Sequence, residues 1–334
     1  MWRTSPILST RLELTMAIPV IIDTDPGLDD ALALLLAFAS PEIEVLGLTT
    51  VGGNVGVTHT TRNALRLLHL IGRDDVPVAA GADTPLVRQD SVSAAGVHGD
   101  DGFGGVVLDE APREADARPA VQLLVDLIEG SAEPITLIAL GPLTNVATLF
   151  AAYPQTAARL GRIVLMGGGA ERLGNVTPTA EFNIWYDPDA AKRVFAAGVP
   201  ITMIGLDVTH KAITYAEDWE PLRAQGGPVA EAVTGMVDFY THAYRESLGI
   251  EGTPQHDSLA VAAVINPQLV TTRALHVDVE CSGPLTIGMT VVDLYNAGGK
   301  TPTADVGLEV DSAAFNAMLI GRIQELNAAL SSIA

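Results

Sequence analysis

The sequence predicts a single-domain α/β fold in which an open, mostly parallel sheet is covered by helices on both faces. Short runs rich in Val and Ile alternate with longer helical patterns along the 334 residues. The short runs are continuously apolar, which is typical of parallel strands buried on both faces. No linker separates two halves, and a second methionine, Met16, directly precedes the first strand-like run. We therefore predict one domain over 16–334 and an N-terminal extension outside the fold over 1–15.

The predicted strands are short apolar runs rich in branched side chains and bounded by turn residues or helices. In chain order they cover 19–24, 43–49, 135–139, 162–166 and 199–204. The predicted helices show apolar residues at helical spacing over longer stretches. They cover 29–39, 58–71, 119–129, 143–151, 187–196 and 257–265. Long loops are predicted over 96–105 and 167–180. The mixed Val, Thr, Asp and Glu of 275–310 predict strands at a sheet edge, and a helix over 310–330 closes the chain.

The charge balance excludes two classes of partner. The chain has 40 acidic and 19 basic side chains, a formal charge of −21, which repels phosphate backbones and anionic membrane surfaces. No apolar run approaches the roughly 18 residues of a membrane span. The single cysteine, Cys281, cannot form an intramolecular disulfide. We expect a soluble, cytoplasmic protein that binds neither nucleic acid nor membranes.

The segment 23–30, DTDPGLDD, places four aspartates within eight residues at the end of a predicted buried strand. Pro26 and Gly27 force a turn, so Asp29 and Asp30 fall in the first helical turn, where the helix dipole favours negative charge. Two carboxylates ~4 Å apart in a partly buried site still repel by several kcal/mol. We therefore expect a cation or a shared proton, and hard oxygen ligands select Ca²⁺ or Mg²⁺. The alternative is a capped, solvated helix start.

Polar side chains also follow the other predicted strands, at the edge where open α/β sheets bind ligands. Asn54 follows the second strand, Leu140 and Met166 lie at the ends of two more, and 181–183 (EFN) follows a glycine-rich loop. The pair His256 and Asp257 precedes an apolar helix and suggests a general acid beside a metal ligand. Taken singly, Asn54 and Asn145 are interpreted as turn or cap residues, and His98 as either a loop or a site residue. For Asp207 and His210 we predict a mainly structural role.

These residues together resemble the nucleoside hydrolase family, the inosine-uridine preferring nucleoside N-ribohydrolases. The resemblance runs from Pro19 to about Ile323, and DTDPGLDD is its most specific motif. It implies the nucleoside hydrolase fold with a Rossmann-like core. It also implies calcium-dependent hydrolysis of the N-glycosidic bond of ribonucleosides to ribose and free nucleobase, through an oxocarbenium-like transition state. Family members associate, so a homodimer or homotetramer is expected.

The resemblance further implies roles for individual residues. Three aspartate side chains and one main-chain carbonyl would bind the Ca²⁺ ion, namely those of Asp25, Asp30, Asp257 and Leu140. Asp25 would also hold the attacking water as general base. Groups that contact the ribose or the base would be Asp29, Asn54, His98, Met166, Asn175, Glu181, Phe182 and Asn183.

The residue that assists departure of the nucleobase is left open among three candidates. His256 lies next to a predicted metal ligand and can donate a proton near neutral pH. Tyr240 and Tyr244 lie in the stretch that family members place against the base. The sequence does not decide between purine and pyrimidine nucleosides.

Two other functions are compatible with parts of the motif. The start of DTDPGLDD resembles the Asp-x-Asp-x-Thr/Val loop of haloacid-dehalogenase-like phosphatases, whose first aspartate is phosphorylated. Here the fifth position is Gly27, and the Asp29–Asp30 pair would repel a phosphate dianion. A non-catalytic, calcium-dependent nucleoside binder is the second alternative, although Asp25, the implied base, is present.

Overall fold

A computed structural model describes residues 17–88 and 94–332. The predicted extension over 1–15 lies outside the described residues. Within them, the strands are β1 (Ile18–Thr24), β2 (Ile43–Thr50), β3 (Val78–Ala80), β4 (Thr136–Ala139), β5 (Arg162–Met166), β6 (Ile201–Ile204), β7 (Ile213–Thr214), β8 (Thr253–Pro254), β9 (Val270–Leu275), β10 (Val277–Val279), β11 (Thr290–Val292) and β12 (Ala304–Val310).

The α-helices of the described residues are α1 (Leu28–Phe38), α2 (Val57–Leu70), α3 (Ala95–His98), α4 (Ala120–Gly130), α5 (Thr144–Ala152), α6 (Pro154–Ala157), α7 (Phe182–Tyr186), α8 (Pro188–Phe195), α9 (Leu206–Thr209), α10 (Glu220–Gln225), α11 (Pro228–Leu248), α12 (His256–Ile265) and α13 (Ser312–Ser331). Short 3₁₀ turns occupy Ala216–Trp219 and Pro267–Leu269. No helix of the described ranges is both long enough and apolar enough to cross a bilayer.

The central sheet has eight strands in the order β3-β2-β1-β4-β5-β6-β12-β9. All neighbours are parallel except β9, which runs antiparallel to β12 at the edge. The prediction of a mostly parallel sheet, extended at its edge by the C-terminal part, is confirmed. Two antiparallel pairs, β7 with β8 and β10 with β11, lie outside this sheet.

Helices cover both faces of the sheet, as predicted. Alternate side chains of β1 enter different cores: Val20 and Ile22 pack on one face, and Ile21 packs on the other. One core includes α1, α11 and α12, and the other includes α4, α5 and α8. A strand buried on both faces has no polar face, which explains its continuously apolar sequence.

Every predicted strand and helix forms, with boundaries shifted by a residue or two. Several elements were not predicted, among them β3, α7, α9, α10 and most of α11, and one predicted loop starts in the wrong place. The strand β3 was not expected, because three residues after a proline give too little pattern to read. The predicted loop 96–105 begins inside the short helix α3, which ends at His98.

The sheet order also fixes the place of the site. Strand β1 lies between β2 and β4, so the chain leaves β1 for a neighbour on one side and returns later to the other. At such a topological switch point the loops diverge and open a crevice at the carboxyl ends of the strands. The aspartate-rich turn after β1 lies at this crevice.

Candidate active site

One pocket, of about 270 Å³, lies at the carboxyl ends of the central strands. It is lined by fourteen of the fifteen residues that the sequence singled out for the site: Asp25, Asp29, Asn54, His98, Leu140, Met166, Asn175, Glu181, Phe182, Asn183, Tyr240, Tyr244, His256 and Asp257. The fifteenth, Asp30, is fully buried directly beneath them. Residues separated by more than 200 positions in the chain therefore meet in one cavity.

The turn after β1 is held by the carboxylate of Asp30. Asp30 sits in the first turn of α1 and accepts the backbone N–H of Gly27 at 3.0 Å and that of Asp25 at 3.2 Å. The Thr24 hydroxyl and the Asn54 side-chain amide also donate to it, the latter at 3.0 Å. These hydrogen bonds fix the turn that follows β1 and favour the ionised form of a buried acid.

Asp25 is enclosed by two glycines that leave room for its carboxylate. A Cβ atom on Gly53 would lie 2.1 Å from Asp25 Oδ2, and one on Gly141 would lie 2.3 Å from Asp25 Oδ1. Neither distance is sterically possible, so any side chain at these positions would displace the acid. The backbone N–H of Asn54 donates to Asp25 Oδ2 at 2.7 Å and holds the carboxylate in place.

Asp29, Asp30 and Asp257 form a compact group whose carboxylate oxygens lie within 4.8 Å of one another. Burial raises the pKa of Asp29 to about 6, and the pKa values of Asp30 and Asp257 are raised by burial and by the neighbouring charges. Burial, followed by the charge of Asp30, also raises the pKa of Asp25. Acids that repel each other in this way are stabilised by a cation or by protons.

The donor set of this group fits a hard divalent cation. All of its side-chain ligands are carboxylate oxygens, and Asp29 Oδ1 is buried without a hydrogen-bond donor. Buried acceptors are normally satisfied, so an unpaired carboxylate oxygen is expected to face a ligand. The group contains Asp29, which the resemblance places on the ribose, and not Asp25, which it places on the metal. The acidic cluster can hold a metal ion.

Asp23 lies behind this cluster and is also completely buried. The Asn145 side-chain amide donates to Asp23 Oδ1 at 2.8 Å, and the Thr49 hydroxyl donates to the same oxygen. The two hydrogen bonds lower the pKa of Asp23, but burial outweighs them and raises it to about 7. Asn145, interpreted from the sequence as a turn or cap residue, thus ties the start of α5 to the ends of β1 and β2.

A polar wall opposite the acids is built by the start of α7. Glu181 caps this helix and accepts the backbone N–H groups of Asn183 at 2.9 Å, Ile184 at 3.2 Å and Gly168 at 2.9 Å. Burial raises the pKa of Glu181 to about 7. The amide of Asn183 donates to the carbonyl of Leu140 at 2.6 Å, so it links the wall to the end of β4.

Histidine and tyrosine side chains form the third side of the pocket. The Tyr244 hydroxyl lies 2.8 Å from His256 Nε2, and the Thr209 hydroxyl lies 2.9 Å from His256 Nδ1. Burial lowers the pKa of His256 well below its ordinary value, so the ring is neutral at neutral pH. The Tyr240 ring packs edge-on against Tyr244, with centroids 4.9 Å apart. Sequence analysis missed Thr209, and only its position beside His210 in the chain hinted at it.

His98 has a structural partner as well as a place in the pocket. Its Nδ1 accepts the backbone N–H of Leu28 at 3.1 Å, and Nδ1 also lies 3.8 Å from Asp29 Oδ1. Burial lowers the pKa of His98 to about 4, so Nδ1 is unprotonated at neutral pH and accepts that N–H. His98 thus contacts the start of α1 through Leu28 and also lines the pocket.

Comparison with known proteins identifies the family. The family profile described as inosine-uridine preferring nucleoside hydrolase matches residues 20–317. The pyrimidine-specific ribonucleoside hydrolase RihA of Citrobacter koseri is 46% identical over 309 residues, which cover 92% of this chain and 98% of that protein. The enzyme of the same name from Escherichia coli is 45% identical, over 92% of this chain and 99% of that protein.

Solved structures agree with this assignment. A purine-preferring ribonucleoside hydrolase from Gardnerella vaginalis superimposes with a TM-score of 0.88 at 35% identity, over 92% of this chain and 99% of that one. A plant nucleoside hydrolase, PpNRh1, gives a TM-score of 0.87 at 34% identity, with the same coverage of both chains. The chain therefore belongs to the inosine-uridine preferring nucleoside hydrolases, enzymes that cleave the N-glycosyl bond of ribonucleosides.

Proposed function

We propose that this protein is a Ca²⁺-dependent ribonucleoside hydrolase with a preference for pyrimidine nucleosides. The observation that carries the proposal is the meeting of a buried, all-oxygen acidic cluster with a polar wall of Asn and Glu side chains in one nucleoside-sized pocket. The relatives named pyrimidine-specific share 46% and 45% identity with the chain, against 35% for the one named purine-preferring. This difference supports the pyrimidine preference.

In the proposed site the carboxylates of Asp25, Asp30 and Asp257 hold the metal together with the carbonyl oxygen of Leu140. Oxygen-only ligation by several carboxylates favours Ca²⁺, whose larger coordination number suits a crowded site. When bound, the ion supplies a fixed positive charge that binds hydroxyl oxygens and favours ionisation of a neighbouring water. Asp29 contributes its unpaired buried oxygen to the same cavity, where it can accept a ribose hydroxyl.

The chain's own groups account for the hydrolytic step. Asp25 accepts a proton from the attacking water, and the Asn54 N–H keeps its carboxylate oriented for this role. Asn183 and Glu181 face the ribose from the opposite wall, where the Glu181 charge favours the positive charge that develops on the sugar. Met166 and Phe182 complete the sugar side, and Asn175 reaches it from the loop above.

Departure of the nucleobase is assigned to the third side of the pocket. The His256 ring is neutral at rest, so it must first take up a proton. As an imidazolium it would give that proton to the departing base, either directly or through the Tyr244 hydroxyl, which lies 2.8 Å from His256 Nε2. Tyr240 and His98 border the same space. The phosphatase alternative finds no support in the comparisons, and a non-catalytic binder is one outcome of the assay below.

Incubation of the protein with uridine, cytidine, inosine and adenosine is expected to release free ribose, fastest from the two pyrimidine nucleosides. Ribose is measured by a reducing-sugar assay, with and without a chelator, and after addition of Ca²⁺ or Mg²⁺ to chelated protein. Restoration of ribose release by Ca²⁺, but not by Mg²⁺, supports the assignment of Ca²⁺. Binding of nucleosides without any ribose release would support the non-catalytic alternative, and phosphate release from a phosphomonoester would support the phosphatase.

Metal affinity is expected to weaken as the pH falls from about 7.5 to about 6, because protons and metal compete for the same carboxylates. The folded pKa values of the proposed ligands Asp25, Asp30 and Asp257 are raised, and that of their neighbour Asp29 is raised to about 6. For such groups the stability gained from protonation is present at low pH and is lost as the pH rises through the folded pKa. The metal-free protein is therefore destabilised at neutral pH, where the ion binds best.

Calorimetric titration with Ca²⁺ of protein freed of metal by a chelator measures both the metal affinity and the number of protons released. It is carried out at pH 7.5 and pH 6, at each pH in two buffers of different ionisation enthalpy. Tighter binding at the higher pH and net proton release on binding are the expected results. Equal affinities at pH 7.5 and pH 6, with no proton release, would contradict the assignment of Asp25, Asp30 and Asp257 as ligands. The predicted homo-oligomer, the cytoplasmic location and the extension over 1–15 stay predictions from the sequence.

A further inference from the structure

The loop between β5 and α7 reaches the pocket through Asn175 but is anchored outside it. Three consecutive backbone N–H groups of this loop point at one carboxylate, that of Asp207 in the short helix α9. Ala170 donates to Asp207 Oδ2 at 2.7 Å, and Glu171 and Arg172 donate to Asp207 Oδ1, each at 2.8 Å. Asp207 is buried and does not line the pocket.

The beginning of the loop is attached at two further points. The backbone N–H of Leu206 donates to the carbonyl of Gly168 at 2.9 Å. The Thr290 hydroxyl, in β11, accepts the N–H of Gly169 at 2.9 Å and donates to its carbonyl at 2.6 Å. These contacts fix the backbone up to residue 169, so the course of the next three residues depends on Asp207.

The far end of the loop carries the predicted substrate contact. The N–H of Asn175 donates to the carbonyl of Ala180 at 3.2 Å, and Asn175 Oδ1 accepts the N–H of Phe182 at 3.0 Å. Asn175 is exposed at the mouth of the pocket, with its side-chain oxygen used in this turn. Asn175 is thus held by residues 180 and 182 on one side, and on the other it follows the segment 170–172, which Asp207 holds, after two intervening residues.

We propose that Asp207 is a positioning residue that acts on the reaction through Asn175. An ionised carboxylate has about four acceptor sites and can satisfy all three N–H groups at once. An asparagine offers one acceptor oxygen, so at least one N–H would face its NH₂ group and the segment would have to shift. A displacement of an ångström in a substrate contact costs up to ~10²-fold in rate. This inference rests on the proposed function, because it takes Asn175 to contact the substrate.

A double-mutant cycle on ribose release separates this role from general support of the fold. We expect Asp207→Ala and Asn175→Ala each to lower kcat/KM by ~10-fold or more, in the range of a displaced substrate contact. The kcat/KM of the double variant should fall little below that of either single variant, because both substitutions remove the same substrate contact of Asn175. Losses that multiply in the double variant, or unchanged kcat/KM for Asp207→Ala, would overturn the proposal. Asp207→Asn is the second variant if the alanine variant does not fold.

Asp293→Ala is the matched control. Asp293 also accepts two loop N–H groups, those of Ala297 at 2.8 Å and Gly298 at 2.7 Å. Unlike the loop held by Asp207, its loop contributes no residue to the pocket. Its removal loosens a loop of similar kind and should leave kcat/KM unchanged. A loss equal to that of Asp207→Ala would mean that loop loosening anywhere lowers activity, and would overturn the specific role.

Amide hydrogen exchange gives a readout that needs no turnover. In Asp207→Ala the amides of residues 170–177 should exchange at least ~10-fold faster than in the unaltered protein, while those of β1 and α12 keep their rates. Absence of ribose release by the unaltered protein would refute the proposed function alone, and the exchange rates would still decide whether Asp207 holds Asn175. Unchanged exchange over 170–177 would overturn the inference.

Discussion

Replacing Asp25 with asparagine is expected to lower the turnover of a ribonucleoside by at least ~10²-fold, the usual worth of a general base, and further because a metal ligand is weakened as well. The two side chains have nearly the same shape, and the Asn54 N–H can still donate to the remaining side-chain oxygen. Because burial and Asp30 raise the pKa of Asp25, removing its charge relieves repulsion in the metal-free protein. The free energy of unfolding without metal should therefore not fall.

Steady-state kinetics on uridine and thermal unfolding with a chelator measure the two effects. Asp311→Asn is a suitable control, because Asp311 accepts the N–H of Ala314 at the start of α13 and does not line the pocket. It should keep full activity. An Asp25→Asn variant that retains a tenth or more of the normal turnover would exclude Asp25 as the base.

The second large effect is expected for His256→Ala, which should slow the hydrolysis of a natural nucleoside by ~10²-fold or more, in the range of general acid catalysis. The same variant should hydrolyse p-nitrophenyl riboside almost normally, since nitrophenolate leaves without a proton. The structure adds a second expectation. The Tyr244 hydroxyl is hydrogen-bonded to His256 Nε2 at 2.8 Å. Tyr244→Phe should therefore also slow hydrolysis of the natural nucleoside but not of p-nitrophenyl riboside.

Kinetics of both variants on both substrates provide the test, and His59→Ala, on the exposed side of α2, is the control. Equal losses on the two substrates would show that His256 positions the sugar or the metal ligands. If His256→Ala slows hydrolysis of the natural nucleoside by the expected amount and Tyr244→Phe does not slow it, the proton donor is the His256 imidazole itself. No loss on either substrate would leave Tyr240 as the next candidate.

The sequence was most informative where local chemistry and chain geometry agree. In DTDPGLDD the buried strand, the Pro-Gly turn and the helix start are all readable, so the place of Asp25 and Asp30 followed directly. Asn54 and Leu140 could be added because parallel strands end at the same edge of a sheet. The residue roles taken from the resemblance are compatible with the pocket, although the distances group Asp29 rather than Asp25 with Asp30 and Asp257.

What the sequence could not show depends on contacts between distant segments. Asp207 lies 35 residues after Arg172, and nothing in either segment indicates that the carboxylate meets that backbone. The hydrogen bond between Thr209 and His256 spans 47 positions and involves a hydroxyl with no motif around it. The strand β3 was missed for a different reason, because its pairing with β2 supplies the stability that its own three residues lack.

The aspartates of the pocket come from the turn after β1 and from the first turns of α1 and α12, whereas the two tyrosines come from the long helix α11. Under the proposed function, substitutions on α11 can therefore alter which nucleobase is accepted without displacing these aspartates. Selection can thus vary the helix that borders the base while Asp25 and the acidic cluster stay in place. A duplicated copy of this chain would reach a new nucleobase specificity through active intermediates only if each step kept the donation of a proton to the departing base.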